Sequence, residues 1–154
     1  MMNELLKTNS KLELHIYGDG GEKNNIVNKI NELGLTNNIY LNGYVEDISK
    51  VYNEAVFSLL TSRCEGFSLA VLESLSHGVP AASYDIPYGP SSMIKNSENG
   101  ILVEHGEYKL MAQKISQIIG SPEKLKNMSE NAYNSVDRYK EIEVAKIWES
   151  ILMD

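Results

Sequence analysis

A single cysteine, Cys64, leaves this chain without an internal disulfide, which excludes the disulfide-stapled secreted scaffolds and fits a reducing compartment. The thiol lies beside Glu65 with no histidine near it in sequence, so it reads as a packed residue rather than a nucleophile. Basic residues are also few. The 14 Lys and Arg, set against 21 Asp and Glu, give a net charge of −7 and form no cluster, whereas a general nucleic-acid binder carries a basic face. No run approaches the ~20 apolar residues that span a bilayer, and residues 1–10 lack the apolar centre of a signal peptide. The expected location is cytoplasmic. Repeats, low-complexity tracts and long linkers are absent too, so the 154 residues read as one domain, which at this size buries roughly 70% of its unfolded surface.

What is present is an alternation of short apolar runs with amphipathic segments. KLELHIY (residues 11–17) alternates as a strand and stops at GDGGE. Ile26, Val27, Ile30 and Leu33 then recur at helical spacing, with Gly34 as the stop. Strands follow at 38–44 and 56–62, the second a continuous apolar run expected to be buried, with a helix of about two turns between them carrying Ile48, Val51 and Tyr52 on one face. A helix at 67–77 and a strand at 79–84 come next, then a short helix at 91–96 and a strand at 100–104. Helices at 107–119, 122–137 and 141–152 complete the chain. Residues 1–10 resemble the tail of a helix interrupted at its start. Strand and helix in strict alternation predict an α/β fold, a doubly wound parallel sheet with helices on both faces.

Sheets of this kind bind ligands at the carboxyl ends of their strands, and two loops there are candidates. The first, YGDGGEKNN, is glycine-rich, yet a dinucleotide fingerprint needs a third glycine five positions after Gly18, where Lys23 stands, and no G-K-[ST] follows for a P-loop. It reads equally as a tight turn or as the lining of a cleft. The second is SRCEGFSLAVLESLSHGVP (62–80). Gly66, Phe67, Ser68 and Leu69 follow a strand and open a helix, so their amides have no intrahelical acceptor and meet the positive helix end. Gly66 lets a ligand approach the backbone. Leu69, Leu72 and Leu75 are the expected apolar stripe, with Phe67 more a core residue than a stacking one. Glu65 precedes the helix and Glu73 lies off its core face. Either acid alone is a surface residue, but as a pair around an anion site they suit a ligand with a charged middle and hydroxyls on both sides. A nucleotide-sugar has that form. His77 before Gly78 reads as a helix-terminal device.

EGFSLAVLE resembles the paired-glutamate motif of retaining glycosyltransferases of GT-B architecture, the large group 1 class, and the likeness extends from residue 12 to about 120 in order and spacing. The segment SYDIPYGPS is most similar to bacterial enzymes that place glucose or N-acetylglucosamine on teichoic acids or serine-rich surface proteins. The resemblance implies that Glu65 contacts the donor sugar near the reacting carbon, the amides of Gly66, Phe67 and Ser68 the sugar, and those of Leu69 and Ala70 the pyrophosphate. It further implies that Glu73 holds the ribose diol, the backbone of Val45 meets the base, and Gly18 and Gly20 line the cleft. No metal and no cofactor is implied, since a UDP-sugar is the substrate. Ser92 departs from the acid that relatives carry there. The basic pair for the diphosphate, and the acceptor-binding N-terminal domain, would lie outside the chain, so it is expected to be the donor-binding half of a larger enzyme and inactive alone. Residues 141–152 would cross to that absent domain; peripheral membrane association of the full enzyme, and pairing of two chains through this helix, stay open. A non-catalytic nucleotide-sugar module is the rival of another class. An epimerase of the same architecture is a further one, disfavoured by the Glu-Gly-Phe-Ser order.

Overall fold

The computed structural model describes residues 1–153. A one-turn helix α1 (Met2–Leu6) leads into strand β1 (Leu14–Tyr17), helix α2 (Lys23–Glu32) and strand β2 (Ile39–Gly43). Helix α3 (Ser49–Tyr52), strand β3 (Ser58–Leu60), helix α4 (Leu69–Ser76), strand β4 (Ala81–Tyr84), helix α5 (Pro90–Met93) and strand β5 (Gly100–Val103) continue the alternation. Helices α6 (Tyr108–Ile119), α7 (Pro122–Ser135) and α8 (Glu141–Leu152) end the chain, with a 3-10 turn Asp137–Tyr139 before α8.

Every ladder is parallel, as the alternation predicts. The strands form two sheets: β1 pairs with β2, aligning Leu14 with Ile39, and β3, β4 and β5 pair in that order, aligning Ser58 with Ala81 and Ala81 with Gly100. Period-two alternation then sends side chains to two helix layers. Ala82, Ile101 and Val103 join Met2 and Leu5 of α1, Ile30 of α2 and Met111, Ala112 and Ile115 of α6 in one core, against which Leu14, Leu41, Phe57 and Leu59 also pack. On the other face Ala81 meets Val71 and Leu75 of α4, Met93 and Ala132 of α7. The buried positions of α6 and α7 recur three to four residues apart, the spacing of one helix face.

Ser74 ties α4 to the sheet, its hydroxyl donating to the Val79 carbonyl at 2.7 Å and lying 2.7 Å from the Ser58 hydroxyl. Gly78, at φ 69°, ends α4 by the expected glycine cap: its amide donates to the Leu75 carbonyl at 2.9 Å and the Val79 amide to the Ser74 carbonyl at 3.0 Å.

Four expectations are corrected. The run 56–62 is not a continuous buried strand, for β3 has three residues, all half-buried, and Val56 is exposed. Of the α2 stripe only Ile30 is buried, while Ile26, Val27 and Leu33 stay exposed because no second element covers that side. The α4 stripe is Val71, Leu72 and Leu75, with Leu69 62% exposed, since two residues before buried Val71 it falls on nearly the opposite side of the helix. Cys64 is exposed, because the loop after β3 runs over the surface. The apolar face of α8, including Ile147, Trp148 and Ile151, is uncovered. Among the described residues no helix is long and apolar enough to cross a membrane.

Candidate functional site

The carboxyl end of β3 opens into the loop that carries Glu65, and α4 begins at Leu69 with Ser68 as its N-cap. A serine here normally accepts a bond from an amide of the first turn, but this hydroxyl makes none. Ser68 is 1% exposed and its Oγ has no hydrogen-bond partner. Among the described residues the amides of Gly66, Phe67, Ser68 and Ala70 likewise have no protein acceptor, whereas the Leu69 amide is turned back onto the Phe67 carbonyl at 3.0 Å. The expectation of a free Leu69 amide is therefore not met, because the chain tightens into a three-residue turn at the helix entrance. What remains is a buried hydroxyl and four open amides at the positive end of an eight-residue helix, a set that attracts oxygen anions.

Along the chain Glu65 precedes this entrance and Glu73 lies on the second turn of α4. Glu65 is half-buried and Glu73 exposed. Glu65 is held from the β4 side: a Cβ on Gly89 would lie 2.9 Å from the Glu65 Cβ and 3.4 Å from Ser68 Oγ, so only glycine permits this approach. The preceding Tyr88 takes φ 58°, a strained left-handed conformation, and exposes its ring. The Ser92 hydroxyl donates to the Gly89 carbonyl at 2.6 Å, so the residue in the place of the expected acid spends its polar group on its own turn. The Ser92 carbonyl in turn accepts from the Arg138 guanidinium and, at 3.2 Å, from the Tyr139 hydroxyl. Phe67, half exposed, meets the Tyr139 ring edge to face at 5.8 Å, so it is neither core nor free.

Glu73 has a neighbour on α3. The Tyr52 hydroxyl donates to the Ala70 carbonyl at 3.1 Å and its ring stacks on His77 at 5.3 Å. Burial, and then the nearby charge of Glu73, push the Tyr52 phenol above its ordinary pKa. This contact joins the end of α3 to the first turn of α4, and Val45, in the loop before α3, is half-buried. Gly18 and Gly20 line a cleft of about 250 Å³ with Tyr17, Lys23, Ile26 and Leu41, and the Gly18 amide donates to the Gly43 carbonyl at 2.6 Å. His77 serves as the C-cap of α4, its Nδ1 2.9 Å from the Glu73 carbonyl, which agrees with a structural role. Gly89, Tyr52, Arg138 and Tyr139 were not among the expected site residues. Only the turn composition around Gly89 and the apolar face that includes Tyr52 were visible in the sequence.

The fold is a parallel α/β domain with an anion-attracting helix entrance at the carboxyl end of a strand, the place where such sheets bind ligands. Residues 1–135 match the family Glycosyl transferases group 1, and the chain belongs to that family. It is 29% identical to a poly(ribitol-phosphate) alpha-N-acetylglucosaminyltransferase of Staphylococcus aureus, over 94% of this chain and 29% of that protein. It is 28% identical to a poly(glycerol-phosphate) alpha-glucosyltransferase of Bacillus subtilis, over 94% of this chain and 21% of that one. The crystal structure of a mutant S. aureus TarM in complex with Fondaparinux, alpha-GlcNAc-glycerol and UDP superposes with a TM-score of 0.89 at 28% identity, covering 96% of this chain and 30% of that chain. The chain thus spans less than a third of the length of these relatives.

Proposed function

We propose that the chain is the donor-binding half of a retaining glycosyltransferase that moves glucose or N-acetylglucosamine from UDP to a cell-surface polymer or protein. The observation that carries the reading is the entrance of α4, where four open amides and the unpartnered Ser68 hydroxyl lie between Glu65 and Glu73. Such donors stabilise the charge that develops on a leaving diphosphate, most strongly where water is excluded. In this reading the Ala70 amide and Ser68 face phosphate oxygens, and the amides of Gly66 and Phe67 face the sugar. Glu73 accepts from the ribose hydroxyls, Val45 meets the base, and Gly18 and Gly20 border the cleft. Glu65 lies at the reacting carbon, nucleotide departure and acceptor attack share one face, and no metal takes part. The acceptor half belongs to polypeptide beyond this chain.

Titration of the labelled chain with UDP, followed by NMR, tests the assignment. Binding near −5 kcal/mol, hundreds of micromolar, is about what an amide cluster without basic partners supports. Val45, Gly66, Ser68, Ala70 and Glu73 should shift together along one saturation curve. Shifts confined to other residues, or none, would overturn the reading.

A further inference from the structure

The 3-10 turn Asp137–Tyr139 touches both segments that form the entrance of α4. On the β3 side the Tyr139 ring meets Phe67 edge to face at 5.8 Å, and the Phe67 amide is one of the open donors. On the β4 side the Ser92 carbonyl of α5 accepts from the Arg138 guanidinium and, at 3.2 Å, from the Tyr139 hydroxyl. Among the described residues no backbone amide donates to that carbonyl, because α5 ends at Met93 and its last carbonyls have no amide ahead of them. The two side chains thus take the place of a helix C-cap.

The pair is itself well supported. Arg138 lies over the Tyr139 ring, 4.7 Å from its centroid, and donates to the Tyr139 hydroxyl at 2.7 Å. As a cation it makes the stronger kind of hydrogen bond to oxygen. The Tyr139 amide closes the turn on the Val136 carbonyl at 2.9 Å, and Val136 and Tyr139 pack on the core of Val71, Leu75 and Ala132.

What the pair holds is a turn that would not hold itself. Tyr88 takes φ 58°, a conformation that persists only where the surrounding structure imposes it. Glu65 is seated through its Cβ and Cγ on the next residue, Gly89. Bonds inside the turn, from the Ser92 hydroxyl and amide to the Gly89 carbonyl at 2.6 and 3.0 Å, fix its shape but not its place. Burial of Pro90, Met93 and Ile94 keeps it on the core without setting its orientation, since apolar contact is non-directional. The directional tie to a distant segment is at the Ser92 carbonyl.

We infer that Arg138 and Tyr139 are positioning residues, which brace the Gly89 turn and Phe67 against each other so that Glu65 keeps a fixed place at the entrance of α4. The purpose given to that place, contact with the donor sugar, rests on the function proposed above. A carboxylate in such a role must be held within about 0.5 Å, and the brace supplies that constraint from a segment about 70 residues further along the chain than Glu65.

Amide spectra of the labelled 154-residue chain, and calorimetry with UDP and the better bound of UDP-glucose and UDP-N-acetylglucosamine, test the brace. In Arg138→Ala the Glu65, Ser68 and Gly89 resonances of the free protein should move while those of Gly18 and Ala82 stay. UDP affinity should remain within about twofold, and the ratio of UDP-sugar to UDP affinity should fall about tenfold, the effect of losing one hydrogen bond to a charged group. Tyr139→Phe keeps the ring on Phe67 and loses the hydroxyl bonds, so it should move the same resonances in the same direction by less. Unmoved Glu65 and Gly89 resonances in Arg138→Ala, or UDP and UDP-sugar weakened by the same factor, would overturn the inference. The free-protein spectra need no ligand, so the two readings fail separately. Displaced Glu65 resonances in a chain that binds no UDP defeat only the function, and UDP binding at α4 with Glu65 unmoved by Arg138→Ala defeats only the inference.

Discussion

Glu73 stands on the second turn of α4 with its carboxylate in solvent and the Tyr52 ring nearby. If it accepts from a ribose diol, Glu73→Ala removes a charge-assisted bond worth roughly 1.5–3 kcal/mol. Calorimetry should then show UDP weakened by about ten- to a hundredfold, while a uracil diphosphate analogue without ribose hydroxyls binds both forms alike. Equal loss for both ligands would make Glu73 a structural residue. Gly89 offers a test independent of any ligand. An added Cβ would sit 2.9 Å from that of Glu65, and overpacking of this sort costs about 1–3 kcal/mol. Gly89→Ala should therefore lower the melting temperature by several degrees and displace the Glu65 resonances; an unchanged melting curve would mean that the strained Tyr88 turn yields freely. The acids were legible in the sequence because their spacing around a glycine is local. The contact of Gly89 with Glu65 was not, because it joins loops that follow two different strands.

At the scale of elements, α3 and α4 are coupled through Tyr52, whose hydroxyl bonds the Ala70 carbonyl and whose ring covers His77. Tyr52→Phe keeps the stacking and loses the hydrogen bond, which contributes about 0.5–1.5 kcal/mol, so chemical denaturation should find it destabilised by that amount at neutral pH. The pH dependence has a definite sign. A phenol whose folded pKa lies above its ordinary value of 10.0 keeps its proton better in the fold than in the unfolded chain. Its contribution is complete below the unfolded value and is lost as pH rises through the folded one. The wild type should lose stability more steeply than Tyr52→Phe above pH ~10; parallel curves would show that burial and Glu73 do not act on this group. Strands and helices were readable wherever period two or 3.6 persisted. Which apolar stripes would be covered was not, as Ile26, Val27 and the face of α8 demonstrate, because amphipathicity marks a face for burial without naming what buries it.

For the whole molecule the expected outcome is absence of turnover. Holding donor and acceptor together can lower a barrier by roughly 7–11 kcal/mol, and a chain spanning under a third of these relatives holds the candidate donor entrance alone. The 154-residue chain assayed with a UDP-sugar and a teichoic-acid or peptide acceptor should show no transfer, and the full reading frame should; comparable rates would defeat the assignment of an acceptor half elsewhere. By itself the sequence determined the parallel α/β class, the order of its elements, the helix entrance after Glu65 and the glycine cap at Gly78. Each of these is set by patterns within a few turns of chain. Only the tertiary structure decided that Cys64 is exposed, that the Leu69 amide is occupied, that Ser68 is buried without a partner, and that the strands fall into two sheets with open edges. Those depend on which backbone groups and side chains meet across distant loops, and hydrogen-bond satisfaction between distant segments leaves no periodic trace in a sequence.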